Sequence, residues 1–391
     1  MAPRIAIVHD WIVSMRGGER VLESLCRLYP RAPVFTLRYE RRAVSATIAA
    51  QDVRTAFTDL LARNLPLGPA GFRMLLPLFP WAIESLPLAD FDLVISSSHA
   101  VAKGAVAAAG ALHLSYVHSP MRYIWEAADD YAPAVPGGPL GRAAFAALAH
   151  RLRRWDVAST ERVHAMAANS VYTQARIRRV YGRDSEVIEP PVDAARFARV
   201  PDPAPAREGE GIYLCVSALV PYKRVELAVR AFSQPGRSGQ GRRLVVVGDG
   251  SERARLTRLA GPNVELRGRV DDDELLGLYA ACRAVVHPAL DDFGIVPVEA
   301  LAAGRPVVAF AAGGSLDSVR DGETGVLFAD PTPEALAAAV DRVERLVFEP
   351  ARLRAAAQRF DRTTFERRFG TFVDSSLETF MASRLSAPRA P

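Results

Sequence analysis

Residues 285–310 read Val285-Val-His-Pro-Ala-Leu-Asp-Asp-Phe-Gly-Ile-Val-Pro-Val-Glu-Ala-Leu-Ala-Ala-Gly-Arg-Pro-Val-Val-Ala-Phe310. Val285 and Val286 end a buried strand, which His287-Pro288 breaks. Pro297 suits the first turn of a helix, Gly304 its C-terminal cap, and Pro306 the start of a second strand. The start of that helix lies beside the loop, where unpaired N–H groups and the positive dipole end favour a phosphate. Glu299, read as a first-turn residue, points the same way, where a carboxylate takes both hydroxyls of a ribose. Asp291 lies eight positions earlier, across the loop, where a hexose would sit. Two acids, a loop holding Gly294 and a helix N-terminus together suit a nucleotide-sugar.

Working outward, apolar strands alternate with amphipathic helices along the chain, which predicts an α/β protein with parallel sheets. In the first half, strands are expected at Ile5–His9, Val34–Leu37, Leu93–Ser96, Leu112–Val117 and Ala165–Asn169, with helices at Glu19–Leu28 and Tyr172–Val180. In the second half, strands are expected at Ile212–Ser217, Leu244–Val247 and Ala284–His287, with helices at Val225–Phe232 and Asp273–Cys282. Asp271-Asp272-Asp273 is read as a dipole-favoured helix start. Thr363-Thr-Phe-Glu366 is read as a capping box before a long packing helix with Phe365, Phe369, Phe372, Val373, Leu377 and Phe380 on one face. At 391 residues the chain has room for two full domains. Glu189-Pro190-Pro191-Val192-Asp193 marks the break, since paired prolines continue neither a helix nor a central strand. Two Rossmann-like halves facing across a cleft would bring their strand C-terminal ends to one ligand.

Composition narrows the function. With 49% apolar and 24% charged residues, the chain is globular and not disordered. The net charge of +5 is spread over dispersed arginines, without the basic tail or aromatic stripe of a nucleic-acid binder. An anionic lipid surface or a phosphate-bearing substrate is the better match. Cys26, Cys215 and Cys282 fall in apolar segments without metal-ligand spacing, as reduced buried thiols would. The first strand begins almost at once, so a cytoplasmic chain without a signal peptide is expected.

Other segments carry possible chemistry. Gly17-Gly18, between the first strand and a helix, lets backbone approach a phosphate, although a glycine turn without ligand fits equally well. His118 follows an apolar strand at its C-terminal end, where an α/β ligand is met. Arg122, four residues on, suits an anionic or hydroxyl-rich acceptor, or a surface ion pair. Lys223, between a strand and a helix, could neutralise a departing nucleoside diphosphate. Gly248-Asp249-Gly250 and Gly268-Arg269-Val270-Asp271 follow strands and are assigned to a base and phosphate pocket, as alternatives to plain turns. Gly313-Gly314 is a third such turn.

These segments resemble family 4 of the retaining glycosyltransferases, over about residues 4–330. That family's signature is Glu-x-Phe-Gly-x-x-x-x-Glu, and here it stands as Asp291-Asp292-Phe293-Gly294-Ile295-Val296-Pro297-Val298-Glu299. The resemblance implies the GT-B architecture, with domains 1–192 for the acceptor and 193–367 for the donor, and the C-terminal helix 368–391 returning to the first. It implies that Glu299 grips the ribose, that Asp291 replaces the family's first glutamate, and that Lys223 is the motif lysine. The arginine that usually precedes this lysine is absent, since Ser217 and Ala218 occupy its place. His118 matches the active-site histidine near the acceptor. Phe293, Gly294, Ile295 and Val296 would line the donor through helix amides, with Gly17, Gly18, Gly248, Gly250, Arg269 and Val270. Tyr116–Trp125 and Val220-Pro-Tyr-Lys-Arg look like the branch of bacterial O-antigen and exopolysaccharide mannosyltransferases.

The implied reaction is hexosyl transfer with retention, with no essential metal and no cofactor beyond the nucleotide-sugar co-substrate, GDP-mannose favoured. UDP-glucose or a UDP-N-acetylhexosamine is the alternative donor. A non-catalytic nucleotide-sugar binder and an epimerase are the rival classes. The implied acceptor is a polyprenyl-diphosphate-linked glycan. Peripheral contact with the cytoplasmic face of the inner membrane would follow. Phe79 and Trp81 beside Arg63 and Arg73 suit such an interface, as does the arginine-flanked helix 142–155, and core packing is the alternative for both.

Overall fold

The computed structural model describes residues 3–64, 71–125, 138–202, 211–234 and 242–386. The chain forms two compact units, Met1–Pro191 with Phe365–Pro391, and Val192–Thr364. The breaks expected from the sequence, 192/193 and 367/368, fall one and three residues later than these. Val192 donates to the Phe360 carbonyl and bridges to Asp361, which fastens both crossing segments to the second unit.

The first unit holds a seven-stranded parallel sheet. Its strands are β1 (Ile5–His9), β2 (Val34–Thr36), β3 (Val53–Thr55), β4 (Leu93–Ser98), β5 (Leu112–Val117), β6 (Ala165–Ala168) and β7 (Glu186–Val187), in the order β3-β2-β1-β4-β5-β6-β7. The second unit holds a six-stranded parallel sheet of β8 (Gly211–Val216), β9 (Arg242–Val247), β10 (Val264–Gly268), β11 (Cys282–His287), β12 (Val307–Phe310) and β13 (Gly325–Phe328), in the order β10-β9-β8-β11-β12-β13. Central strands such as β1, β4 and β12 are covered on both faces, which explains their continuous apolar runs. Strands β3, β7 and β13 are only two to four residues long and lie outside the expected set.

Strand order sets where chemistry can sit. In each sheet the order reverses once, between β1 and β4 and between β8 and β11. At such a switch point the following loops diverge and leave a crevice at the strand C-terminal ends. His9 and Ser97 stand opposite each other at the first. The loops carrying Lys223 and Asp291 leave from the second.

The helices that matter below are α1 (Gly17–Leu28), α2 (Phe57–Asn64), α3 (Phe79–Glu84), α4 (Gly138–Ala158), α5 (Val225–Ser233), α6 (Asp272–Ala281), α7 (Ile295–Ala302) and α8 (Arg362–Ser386). Helix α8 returns to the first unit, where Phe365, Phe369, Phe372 and Val373 join the core of Ile7, Leu22, Leu25 and Tyr116. The expected capping box at its start is not formed. Thr363 already lies inside the helix, and the Asp361 carboxylate accepts from both its N–H and its hydroxyl. Asp271 does cap α6, accepting from the Glu274 amide at 2.8 Å. All three cysteines are free and buried.

Candidate functional site

The second unit builds its site from the two loops at the switch point. Lys223 ends a 3₁₀ turn, Pro221–Lys223, that follows β8, and Asp291 lies in the loop after β11. The Lys223 ammonium donates to both Asp291 oxygens, at 2.6 and 2.8 Å. His287 Nε2 lies 3.4 Å from Asp291 Oδ2. Burial by itself would raise the Asp291 carboxyl, but the Lys223 charge and the His287 contact outweigh it and hold the group well below the ordinary carboxylate range.

Helix α7 starts beside this pair. Its N-cap, Gly294, has φ 82°, a left-handed value that a side chain disfavours. A Cβ built there would stand 3.3 Å from His287 Nε2 and 3.7 Å from Asp291 Cβ. Gly294 has no side chain with which to cap α7, so the helix itself supplies no acceptor for its first amides, those of Ile295 and Val296, while Pro297 contributes none. Glu299 does not occupy the first turn as expected. The helix begins at Ile295, two residues before Pro297, which sets Glu299 in the second turn. There it is buried and accepts from the Tyr279 hydroxyl of α6 at 3.2 Å. Burial first, then the Glu299 charge, pushes the Tyr279 hydroxyl far up, so the phenol remains a donor.

The glycine turns press against neighbouring backbone. A Cβ at Gly313 would lie 2.4 Å from the Asp291 carbonyl oxygen, and one at Gly314 would lie 2.2 Å from Phe293 Cα. The Gly314 amide donates to that same Asp291 carbonyl at 2.9 Å. Gly248 and Gly250 likewise press on the Ser217 and Leu219 carbonyls, at 1.9 and 2.2 Å from a built Cβ. These contacts account for glycine at both positions without a ligand. Phe293 is a core anchor whose ring meets Phe360 edge to face, so only its main chain remains for a ligand. The Arg269 side chain is exposed, and Val270 packs against the core. Arg224 adopts φ 51° as the N-cap of α5, with its guanidinium 5.0 Å from the Phe310 ring centre.

The first unit gathers three histidines at its own switch point. His9 Nδ1 lies 3.1 Å and His118 Nε2 2.8 Å from the Ser97 hydroxyl. The ring of His99 stands 5.9 Å from His9 and 6.2 Å from His118, centre to centre. Asp10, fully buried, accepts four backbone amides from His99 to Ala102 and lies 3.1 Å from His99 Nδ1. Gly17 and Gly18 open α1 beside these rings, and a Cβ on Gly18 would lie 3.6 Å from His9 Cε1 and 3.8 Å from His118 Nε2. Gly18 and His118 are thus brought together, as are Lys223, Asp291 and Gly294 in the other unit. Arg122 begins the short helix Arg122–Trp125.

Sequence reasoning missed His9, Ser97, His99, His287 and Tyr279. A legible signal existed for the first three, since His9-Asp10 and Ser96-Ser97-Ser98-His99 are polar runs ending otherwise apolar strands. Burial first, then the neighbouring His99, pulls His118 down to about 3, and the same two causes keep His9 far below its usual range. Both rings are therefore neutral at neutral pH.

Of the two segments expected at a membrane surface, residues 65–70 and the Arg73 side chain lie outside the described residues. Phe79 is buried, whereas Trp81 is 63%, Met74 72% and Leu60 64% exposed. In the second segment, Trp155 donates to Glu84 and Arg153 to the Ile124 carbonyl, so both serve the fold of the first unit. Among the described residues no helix is long and apolar enough to cross a membrane.

Residues 198–360 match the family model described as Glycosyl transferases group 1. Curated relatives include glycogen synthase of Mycobacterium tuberculosis, 34% identical over 222 residues that cover 52% of this chain and 51% of that protein. Another is the GDP-mannose-dependent alpha-(1-6)-phosphatidylinositol monomannoside mannosyltransferase of Mycolicibacterium smegmatis, 31% identical over 192 residues, 44% of this chain and 50% of that one. The chain spans about half the length of the curated relatives it matches. Among solved structures, sucrose-phosphate synthase of Thermosynechococcus elongatus has a TM-score of 0.70 at 19% identity, covering 97% of this chain and 100% of that one. Anabaena HepE, solved with UDP and glucose, has a TM-score of 0.64 at 20% identity, covering 96% and 100%. At these identities the likeness is one of fold: the chain has the GT-B architecture, and residues 198–360 carry the glycosyl transferases group 1 pattern.

Proposed function

We propose that this chain is a retaining hexosyltransferase that moves a sugar, mannose in preference, from a nucleotide-sugar to a glycolipid or oligosaccharide acceptor of cell-surface polysaccharide synthesis. The observation that carries the reading is the Lys223–Asp291 pair beside the Gly294 start of α7. A cation and a helix N-terminus at one point suit a departing diphosphate, and a carboxylate beside them suits sugar hydroxyls. On donor binding, Lys223 would exchange the Asp291 carboxylate for phosphate oxygen, freeing Asp291 for the hexose. The acceptor oxygen then bonds to the anomeric carbon on the face from which the phosphate oxygen departs, and that oxygen takes the acceptor's proton. Glu299 would hold the ribose, and His118 with Arg122 would meet the sugar and acceptor.

The mannosyltransferase relative supports GDP-mannose over a UDP-linked hexose. Thermal-shift measurements decide this. GDP should raise the melting temperature well above the shift with UDP, since a ligand at 100 times its Kd stabilises by about 2.7 kcal/mol. Transfer of labelled mannose into washed membranes, abolished by Lys223→Ala, is the expected activity. Nucleotide binding with no transfer to any acceptor would mean a binding-only protein.

A polyprenyl-diphosphate-linked acceptor places the enzyme on the cytoplasmic face of a membrane. Exposed Trp81, Met74 and Leu60, with exposed Arg41 and Arg42 in the same unit, support that placement. Flotation with vesicles of anionic lipid should capture the protein, and neutral vesicles should not. Equal recovery from both would remove the electrostatic part of the reading.

A further inference from the structure

We propose that Ser97, backed by His9, holds His118 in the tautomer that carries its hydrogen on Nδ1, so that His118 offers substrate an N–H donor and not a base. The starting point is one hydroxyl shared by two imidazoles. His9 Nδ1 and His118 Nε2 both lie within hydrogen-bond distance of Ser97 Oγ, at 3.1 and 2.8 Å. Strand pairing fixes this arrangement, because His9 stands opposite Ser97 and the His118 amide donates to the Ser98 carbonyl at 2.8 Å.

A serine hydroxyl has one hydrogen to give. Each neutral ring also has one; were both facing nitrogens protonated, the fully buried Ser97 hydroxyl would have no acceptor for its own hydrogen, so one of the two nitrogens is bare. In the first solution His9 donates from Nδ1 to Ser97, and Ser97 donates to a bare His118 Nε2. In the second, His118 donates from Nε2, Ser97 donates to His9 Nδ1, and the His9 hydrogen sits on Nε2. His9 is fully buried and its Nε2 has no hydrogen-bond partner. The second solution therefore leaves an N–H donor buried without an acceptor, whereas the first leaves only a lone pair. Orphaned buried N–H groups are the rarer and costlier case. The surroundings do not reverse this. Besides Ser97, the rings are faced by Gly18 of α1, the His99 ring and the Tyr116 ring. Glu19, also near His99, is engaged by the Arg16 amide at 3.1 Å.

Ser97 is thus a positioning residue that acts through His118. The tautomer follows from the contacts that Ser97 makes with two neutral rings, and only its effect on turnover rests on the transferase reading. The test uses the full chain with ring-¹⁵N-labelled histidine and two-bond proton–nitrogen spectra, with peaks assigned by their loss in His118→Gln and His9→Gln. The wild-type spectrum should show His118 protonated on Nδ1 and His9 also on Nδ1. Ser97→Ala should move His118 toward the Nε2–H form, and Ser97→Thr should restore the wild-type pattern. In the transfer assay Ser97→Ala should lower kcat about tenfold, the worth of one neutral hydrogen bond, with the donor KM unchanged. His118 protonated on Nε2 in the wild type overturns the proposal, and that spectrum is decisive even where Ser97→Ala fails to fold. An unchanged His118 tautomer in folded Ser97→Ala overturns it too. The expected spectra from a chain that transfers no sugar would leave the tautomer standing and remove the transferase reading.

Discussion

At the scale of single residues, the second unit turns on one ion pair. Lys223 and Asp291 are 68 positions apart in sequence, yet the ammonium grips both carboxylate oxygens. Lys223→Ala leaves Asp291 buried without its counter-charge, an expected loss of about 3 kcal/mol in urea unfolding that Asp291→Asn in the same chain should largely relieve. Turnover in Lys223→Ala should fall at least about 100-fold, as when one donor to a developing anion is lost. The pair also sets a pH dependence. The Asp291 carboxyl is held below its unfolded value, so the unfolded chain binds the proton first as pH falls. Its contribution is complete above the ordinary carboxylate pKa of about 3.9 and is lost as pH falls below it. The stability gap between wild type and Asp291→Asn should therefore hold down to about pH 4 and narrow progressively from there toward about pH 2. A constant gap across that range would show that the pair does not stabilise the fold. Each residue's chemical type was readable in the sequence, whereas their mutual contact was not.

At the scale of elements, loops are held in place by glycines that press backbone against backbone. The Gly313-Gly314 turn supports the segment from Asp291 to Phe293 and donates an amide to it. Gly314→Ala places a methyl where Phe293 backbone lies, so the loop must shift and take Asp291 with it. Nucleotide-sugar affinity measured by calorimetry should fall about tenfold or more, with little change in far-ultraviolet dichroism. An unchanged affinity would mean that the loop carries no donor contact. The sequence reading saw these glycines as turns with an open role. It could not see that the space for a side chain is filled by a loop about twenty residues earlier. The start of α7 shows the same limit. Pro297 does lie in the first turn, but as its third residue: Gly294 supplies the left-handed N-cap, and Glu299 accordingly lies in the second turn.

At the scale of the whole molecule, buried neutral histidines are concentrated in the first unit. Burial first, then nearby His164, pulls His113 down to about 3, and its Nε2 lies 2.9 Å from the Ser96 hydroxyl. His9 and His118 are shifted the same way. For a base depressed in the folded state, the unfolded chain takes up the proton first, so stability declines as pH falls below about 6.5. The melting temperature should drop from pH 7 to pH 5, and His113→Gln, which can still meet Ser96, should show a shallower drop. Parallel curves for the two proteins would assign the pH dependence to other groups. The sequence by itself determined the alternation of strands and helices, the two-unit plan, and the residue types at each strand end, because hydrophobic period and turn chemistry are local properties. Only the tertiary structure decided that His9 and His118 share Ser97, that His287 joins Lys223 at Asp291, and that Glu299 meets Tyr279. Those contacts depend on strand order and register, which join residues tens of positions apart and leave no periodic trace along the chain.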